Sequence, residues 1–310
     1  MTEYTSSLGN IANESTNTKI KPAIVIDKTI KYILLGCAGM MSVIVLAVIL
    51  FVAQKGILTF NEVSFADFFT GTKWDPEAGK FGGLPFIIGS LQVTLLSILL
   101  ATPLALACAI FFAKIAPKPV KNLLRPAVDL YVAVPSIVYG YIGLTVFIPF
   151  FRELFGVTGG FGLLPAVCIL AVMILPTIIT LSEDAINAVN PSLEEASIAL
   201  GATRLQTIYK VILPSASTGI VSAIILAMAR AIGETMAVQM VIGNAPIIAA
   251  NLFTPTSTLT SNIVIEMGNA PFNSTWNNAL FLMALILLGI SLSIILIIRY
   301  FAAKGAHHAS

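Results

Sequence analysis

The sequence predicts an all-α integral membrane protein with six transmembrane helices. Two observations carry this. Hydrophobic residues make up 57% of the 310-residue chain and charged residues 10%, with a mean hydropathy of +0.94. Soluble domains carry roughly 25% charged residues, so this chain lacks the charge to coat a water-facing surface of its size. Apolar runs also recur at the length of roughly 20 residues that a bilayer core demands of a helix.

The first stretch, 1–31, is polar and carries Lys19, Lys21, Lys28 and Lys31. It is too long and too polar ahead of the apolar run for the start of a cleaved signal peptide. A first span is expected at 32–53, where Gly36, Ala38 and Gly39 offer a face for close helix packing. The segment 54–83, with charges of both signs and Trp74-Asp75-Pro76, is expected to be a small ordered loop. A core segment, 84–298, then holds five spans near 84–113, 126–150, 163–181, 215–243 and 279–298, and 299–310 is a tail. The connection 244–278 is rich in Asn, Ser, Thr and Pro and reads as a loop. Pro103, Pro135 and Pro176 fall inside expected spans, where each removes a backbone bond and permits a kink.

Lysine and arginine set the orientation. The N-terminal stretch, the loop with Lys114, Lys118, Lys121 and Arg125, the loop with Arg204 and Lys210, and the tail with Arg299 and Lys304 put twelve on one side. Lys55, Lys73, Lys80 and Arg152 lie on the other, so both termini are expected in the cytoplasm. Seventeen basic against fifteen acidic residues is too even a balance for a nucleic-acid binder. Cys37, Cys108 and Cys168 lie in apolar runs without disulfide or zinc spacing, and His307 and His308 are confined to the tail. No metal site or resident cofactor is expected.

The longest cytoplasmic connection, 182–214, is expected to form an elbow of two short helices. Asn190-Pro191 reads as an N-cap followed by proline at the first helical position, with Ser192 and Glu195 as an alternative capping box. Gly201 is placed to end this helix in the left-handed region. Thr203 and Gln206 repeat the box spacing before a second helix over 204–212, and Pro214 marks the entry to the next span. On these grounds the elbow is either a surface helix pair or a docking element. Glu195-Ala196-Ser197, then Gly201, then Val211-Ile212-Leu213-Pro214 resembles the E-A-A…G…I-x-L-P loop of ABC importer permeases, with Ser197 and Val211 in place of the usual Ala and Ile. The resemblance implies a type I ABC importer permease architecture. The coupling-helix elbow would dock on an ATP-binding subunit through Glu195, Ala196, Gly201, Leu213 and Pro214. The chain itself has no G-x-x-x-x-G-K-[ST] run to cradle phosphates, so ATP and Mg belong to partner subunits.

Asp129, Arg230 and Glu234 are the ionisable residues inside the expected spans. An arginine at a helix centre costs about 2.5–3.5 kcal/mol on insertion scales, so such residues are kept where they pair or line a wet path. Four apart on one helix, Arg230 and Glu234 share a face and are expected to pair, either as a packing staple or as an anion-binding step. Arginine's planar fork suits tetrahedral oxyanions. Asp129, near the cytoplasmic start of its span, either snorkels or joins the path.

The run 230–238, Arg-Ala-Ile-Gly-Glu-Thr-Met-Ala-Val, with Met240-Val241-Ile242-Gly243-Asn244, resembles the signature of the PstC-type phosphate importer permeases. Pro135-Ser136-Ile137-Val138-Tyr139-Gly140 is similar to their P-S-x-V-x-G stretch, and Leu175-Pro176 fits their fourth span. The likeness runs from about 84 to the C-terminus. It implies a role in phosphate movement for Arg230 and Glu234; Thr235, Asp129 and Ser136 are further candidates for the path. The implied partners are a PstA-like second permease, two PstB-like ATP-binding subunits, a PstS-like external phosphate-binding protein and bilayer lipid. Sulfate or molybdate is the alternative cargo. A stand-alone secondary transporter is disfavoured because no internal repeat is visible. An intramembrane protease is disfavoured because no span contains a histidine.

Overall fold

The computed structural model describes residues 3–306, with side chains described for 29–300. His307, His308 and the side chains of Lys19, Lys21, Lys28 and Lys304 lie outside the described residues. The chain divides into two compact units, Met1–Gln54 and Lys55–Ser310. The first is the body of one helix, α1 (Glu3–Ile57), whose described side chains are almost all exposed.

The second unit opens with α2 (Phe65–Thr70) and a two-stranded ribbon, β1 (Trp74–Asp75) against β2 (Lys80–Phe81). Helices α3 (Leu84–Ile110), α4 (Lys118–Val132), α5 (Ser136–Ile142), α6 (Ile148–Phe155) and α7 (Leu163–Asn187) follow. Next come α8 (Pro191–Ala199), α9 (Arg204–Thr207), α10 (Leu213–Ile232), α11 (Met236–Gln239), α12 (Leu259–Glu266) and α13 (Thr275–Ala306). Among the described residues six segments are long and apolar enough to cross a bilayer: Thr29–Asn61, Leu84–Ile115, Ser136–Phe155, Leu163–Asn187, Arg204–Ile232 and Thr275–Tyr300.

Helices α3, α7 and α10 form the centre, with α13 against α10. Their core is Ala101, Ala105, Leu170, Ile174, Ile178 and Ala227, all fully buried. A second cluster around Phe86, Leu259, Leu280 and Met283 lies at the N-terminal end of α3. A third, around Ala109, Ile186, Ile212 and Ala216, lies at its C-terminal end, beside the elbow.

Four expectations need correction. The third span starts at Ser136, not at 126. Pro135 has no N–H and forces the residue before it out of the helical region, so α4 stops at Val132 and stands apart as an amphipathic helix with no buried residue. Asp129 and Pro126 therefore leave the membrane-spanning segment, and Pro135 caps α5 instead of kinking a span. The fourth span continues past 181 to Asn187, so Glu183 and Asp184 are helical, not in a loop. The fifth span begins at Arg204, because the elbow's second arm joins it through a π-turn, Ile208–Ile212, just ahead of Pro214. It ends at Ile232, well before 243.

The connection 244–278 is also more than a loop. It folds inward so that Ser257, Thr258, Leu259 and Ser261 are buried. The Ser90 hydroxyl accepts from Leu259 N at 2.9 Å, and Gly89 leaves room for the Ser257 carbonyl, which a Cβ there would strike.

Candidate functional site

The site begins where α10 stops. Gly233 ends the helix, Glu234 and Thr235 leave helical geometry, and α11 restarts at Met236. This break undoes the expected Arg230–Glu234 pair. Glu234 Oε1 accepts from Ala237 N at 3.2 Å and so satisfies a free amide at the start of α11. Its carbonyl accepts from the Thr260 hydroxyl at 2.9 Å, which ties the break to α12. Thr235 donates through its hydroxyl to the Gly233 carbonyl at 3.2 Å.

Arg230, half-buried in the last turn of α10, donates from Nη1 to Thr177 Oγ1 at 3.4 Å. Among the described residues no carboxylate comes within 4.0 Å of its guanidinium, since the ion pairs formed all involve Lys114, Lys121 or Arg125. The spanning segment therefore holds a cation that is hydrogen-bonded but not neutralised. Thr177, on α7 directly after Pro176, was not singled out by the sequence.

Tyr139, buried in α5, lies within electrostatic reach of Arg230. Its hydroxyl donates to the Tyr131 carbonyl at 2.6 Å across the gap between α4 and α5. Ser136 is half-buried at the first position of α5. Asp129 is exposed on α4 and forms no ion pair among the described residues. The structure thus gathers Arg230, Glu234 and Thr235 at one helix break and leaves Asp129 on another element.

The elbow lies at the other end of α10. Asn190 caps α8 by accepting from Ser192 N at 3.0 Å; the alternative box from Ser192 does not form. Gly201 turns the chain at φ +86°. Thr203 and Gln206 complete a reciprocal capping box at 3.3 and 2.9 Å. Ser197 Oγ meets Thr207 Oγ1 at 2.9 Å and holds the two arms together. Glu195 and Ala196 are exposed, Leu213 is half-buried and Pro214 exposed. Leu200 stands 90% exposed beside a crevice of about 450 Å³ that Ala196, Ser197 and Gln206 help line. An apolar side chain this exposed takes no part in the core of the chain.

Two acidic residues have environments that the sequence did not reveal. Glu183, on α7 near the elbow, has a side chain only 2% exposed and takes Lys121 Nζ at 2.7 Å and Arg125 Nη1 at 3.3 Å on one oxygen. Glu266, ending α12, accepts from the Trp74 indole at 2.8 and 2.9 Å and from the Trp276 indole at 2.7 Å. Burial pushes its carboxyl above the usual 4.5, and the two indoles oppose that shift only in part. Among the described residues no His, Cys, Asp and Glu side chains gather to hold a metal ion.

The family model for the inner membrane component of binding-protein-dependent transport systems matches residues 101–305, from the middle of α3 almost to the end of α13. The chain belongs to this family of transport permeases. A probable ABC transporter permease of Bacillus subtilis, YqgH, is 45% identical over 278 residues, 88% of this chain and 90% of that one. The phosphate transport system permease PstC of Mesorhizobium japonicum is 36% identical over 252 residues, 75% and 77% of the two chains. Among solved structures, a bacterial alginate ABC transporter aligns with a TM-score of 0.61 at 16% identity, covering 87% of this chain and 94% of that one. The inward-facing MetNI methionine transporter aligns at 0.53 and 22% identity, covering 72% and 93%. These structures share the permease fold, and with it the elbow acquires a family context that its local geometry alone did not supply.

Proposed function

We propose that this permease is the PstC-type subunit of an ATP-driven phosphate importer. One observation carries the reading: a guanidinium in a membrane-spanning helix without a carboxylate partner among the described residues. A half-buried cation in a membrane span still carries a cost without a counter-ion, and a mobile anion relieves that cost each time it passes. The planar fork suits a tetrahedral oxyanion, and relatives named as phosphate permeases support phosphate as that anion.

In this reading Arg230 draws the anion, Glu234 limits how tightly it is held by adding a negative charge beyond the helix break, and Thr235 lines the same bend. Weak holding is required, because a transport site must also release. A PstA-like permease supplies the other wall of the path, and a PstS-like protein delivers phosphate from outside. Two PstB-like subunits bind ATP and Mg, and one of them docks on this elbow through the surface around Glu195, Ala196, Leu200 and Gly201, below Leu213 and Pro214. Both termini and the elbow then face the cytoplasm. The basic residues clustered near the elbow support this orientation.

The test is reconstitution of the complete importer in liposomes with labelled phosphate. Uptake that requires ATP and is displaced by phosphate, but not by sulfate or molybdate, is the expected result. Displacement by sulfate or molybdate at the concentration effective for phosphate would refute phosphate as the preferred cargo.

A further inference from the structure

Helix α4 is attached differently from its neighbours. It buries no side chain, and Leu124, Val128 and Tyr131 face an apolar crevice of about 300 Å³ whose far wall includes Val172 and Ile179 of α7. Val128 and Tyr131 pack against the central core but stay only partly buried, so packing holds α4 less firmly than the central helices. Two polar attachments add to it, one at each end.

The first is Glu183. Lys121 and Arg125, one helical turn apart on α4, converge on a single oxygen of this buried carboxylate, and Arg125 Nη2 reaches Asp184 Oδ1 at 3.3 Å. The second lies at the break. Pro135 has no N–H, so the Tyr131 carbonyl lacks the donor that a continuous helix would bring four residues on. Val134 N approaches it at only 3.4 Å, and the Tyr139 hydroxyl donates at 2.6 Å in the missing amide's place. Beyond Tyr139, α5 presses on α11: a Cβ on Gly140 would meet Met240 Sδ at 2.7 Å and Ala237 Cα at 3.1 Å. Those residues directly follow the break that holds Arg230 and Glu234. At the opposite end, Glu183 lies on the last two turns of α7, just ahead of Asn190, the cap of the elbow.

We propose that Glu183 is a positioning residue for transport, transmitting displacement of the elbow to the substrate path by way of α4, a strap that pivots at Pro135 with the Tyr139 hydroxyl as its latch. A carboxylate this deeply buried is strongly disfavoured without its cations, so α4 follows when the end of α7 moves. Its swing turns Tyr139 and α5 against α11 and shifts the surroundings of Arg230. The inference rests on the reading of the chain as a permease driven by ATP, but not on phosphate being the cargo.

The test measures ATP hydrolysed per anion imported by the complete importer in liposomes. Glu183→Gln and Tyr139→Phe are each expected to keep ATP hydrolysis while raising that ratio about tenfold, a coupling loss in the usual allosteric range. Glu183→Asp should restore most of the coupling. A ratio that stays at the wild-type value, with hydrolysis and uptake falling together, overturns the proposal and leaves Glu183 a stabilising residue only. Should Glu183→Gln fail to assemble, Tyr139→Phe, which removes a single oxygen, decides by the same criterion. A second readout needs no cargo. With Cys37, Cys108 and Cys168 replaced by serine, Leu124→Cys and Ile179→Cys span the crevice, and their crosslinking should differ between nucleotide-free and vanadate-trapped importer. Equal crosslinking in both states overturns the strap. A change in crosslinking without phosphate uptake would instead refute the choice of cargo and keep the strap.

Discussion

Replacing Arg230 tests the anion path most directly, and the structure fixes the expected size of the effect. The guanidinium has five N–H donors. One is committed to Thr177 at 3.4 Å, so the others remain for a ligand. An oxyanion held in a forked grip takes two charge-assisted bonds, each about 1.5–3 kcal/mol against about 0.5–1.5 for neutral ones. Arg230→Gln keeps polarity without charge and loses about 2–3 kcal/mol, so phosphate uptake below saturation should fall roughly 30- to 150-fold. Arg230→Lys keeps the charge but replaces a fork with a point donor; losing one such bond of about 1.5 kcal/mol predicts a fall of about tenfold. The assay is the initial rate of labelled phosphate uptake in liposomes, with co-purification of the ATPase as a control for assembly, because Arg230 is remote from the elbow. Uptake by Arg230→Gln within twofold of wild type would remove the arginine from the path. A lysine variant as impaired as the glutamine one would show that charge is not what the site uses.

Two further predictions concern stability. Glu266, with its carboxyl raised by burial, holds its proton to higher pH in the folded protein than in the unfolded chain, so stability should decline as pH rises from about 4.5 through the raised value. Glu266→Gln should flatten that decline in thermal unfolding of the detergent-solubilised protein, and an unchanged pH profile would assign it to other groups. Gly89→Ala drives a methyl into the Ser257 carbonyl, in a buried segment with little room to yield, and should cost about 1–3 kcal/mol or more by overpacking. The same change at Gly36, inside α1 with open space at its Cβ, should not lower the melting temperature and should raise it slightly, because Ala favours a helix over Gly by about 0.5–1 kcal/mol.

What the sequence disclosed was governed by how local each feature is. Apolar run length located six spans, and the Asn190 cap, the Gly201 turn and the Thr203–Gln206 box were legible because every partner lies within a few residues. The third span was misplaced because the apolar residues of α4, such as Leu123, Leu124 and Leu130, blend into the run that follows Pro135. Hydropathy cannot distinguish an amphipathic strap from the start of a membrane helix. The roles of Glu183 and Glu266 were not legible at all, since their partners lie 58 to 62 residues away for Arg125 and Lys121, and 192 for Trp74. Thr177 stood next to a proline already noticed, yet only folding brings it to a residue 53 positions on. For Arg230 and Glu234 the spacing was read correctly and the helix was wrongly assumed to be continuous.

That last difference changes the chemistry of the site. On an unbroken helix the two side chains would neutralise each other, and an arriving anion would have to displace a carboxylate already in place. Stopping α10 at Gly233 separates them: Glu234 accepts from the Ala237 amide of α11, and Arg230 forms no ion pair among the described residues. The same break sets a limit on that charge. Arg230 lies in the last turn of α10, where the helix end carries roughly half a negative charge on its free carbonyls. In the proposed path the anion therefore meets a guanidinium partly balanced by backbone dipoles, which no substrate can displace, with Glu234 adding its charge from beyond the break and not as a direct ion-pair partner. In the proposed path such a site would attract without trapping, because the helix ends just beyond the arginine and sets fixed partial charges beside a cation fixed in position.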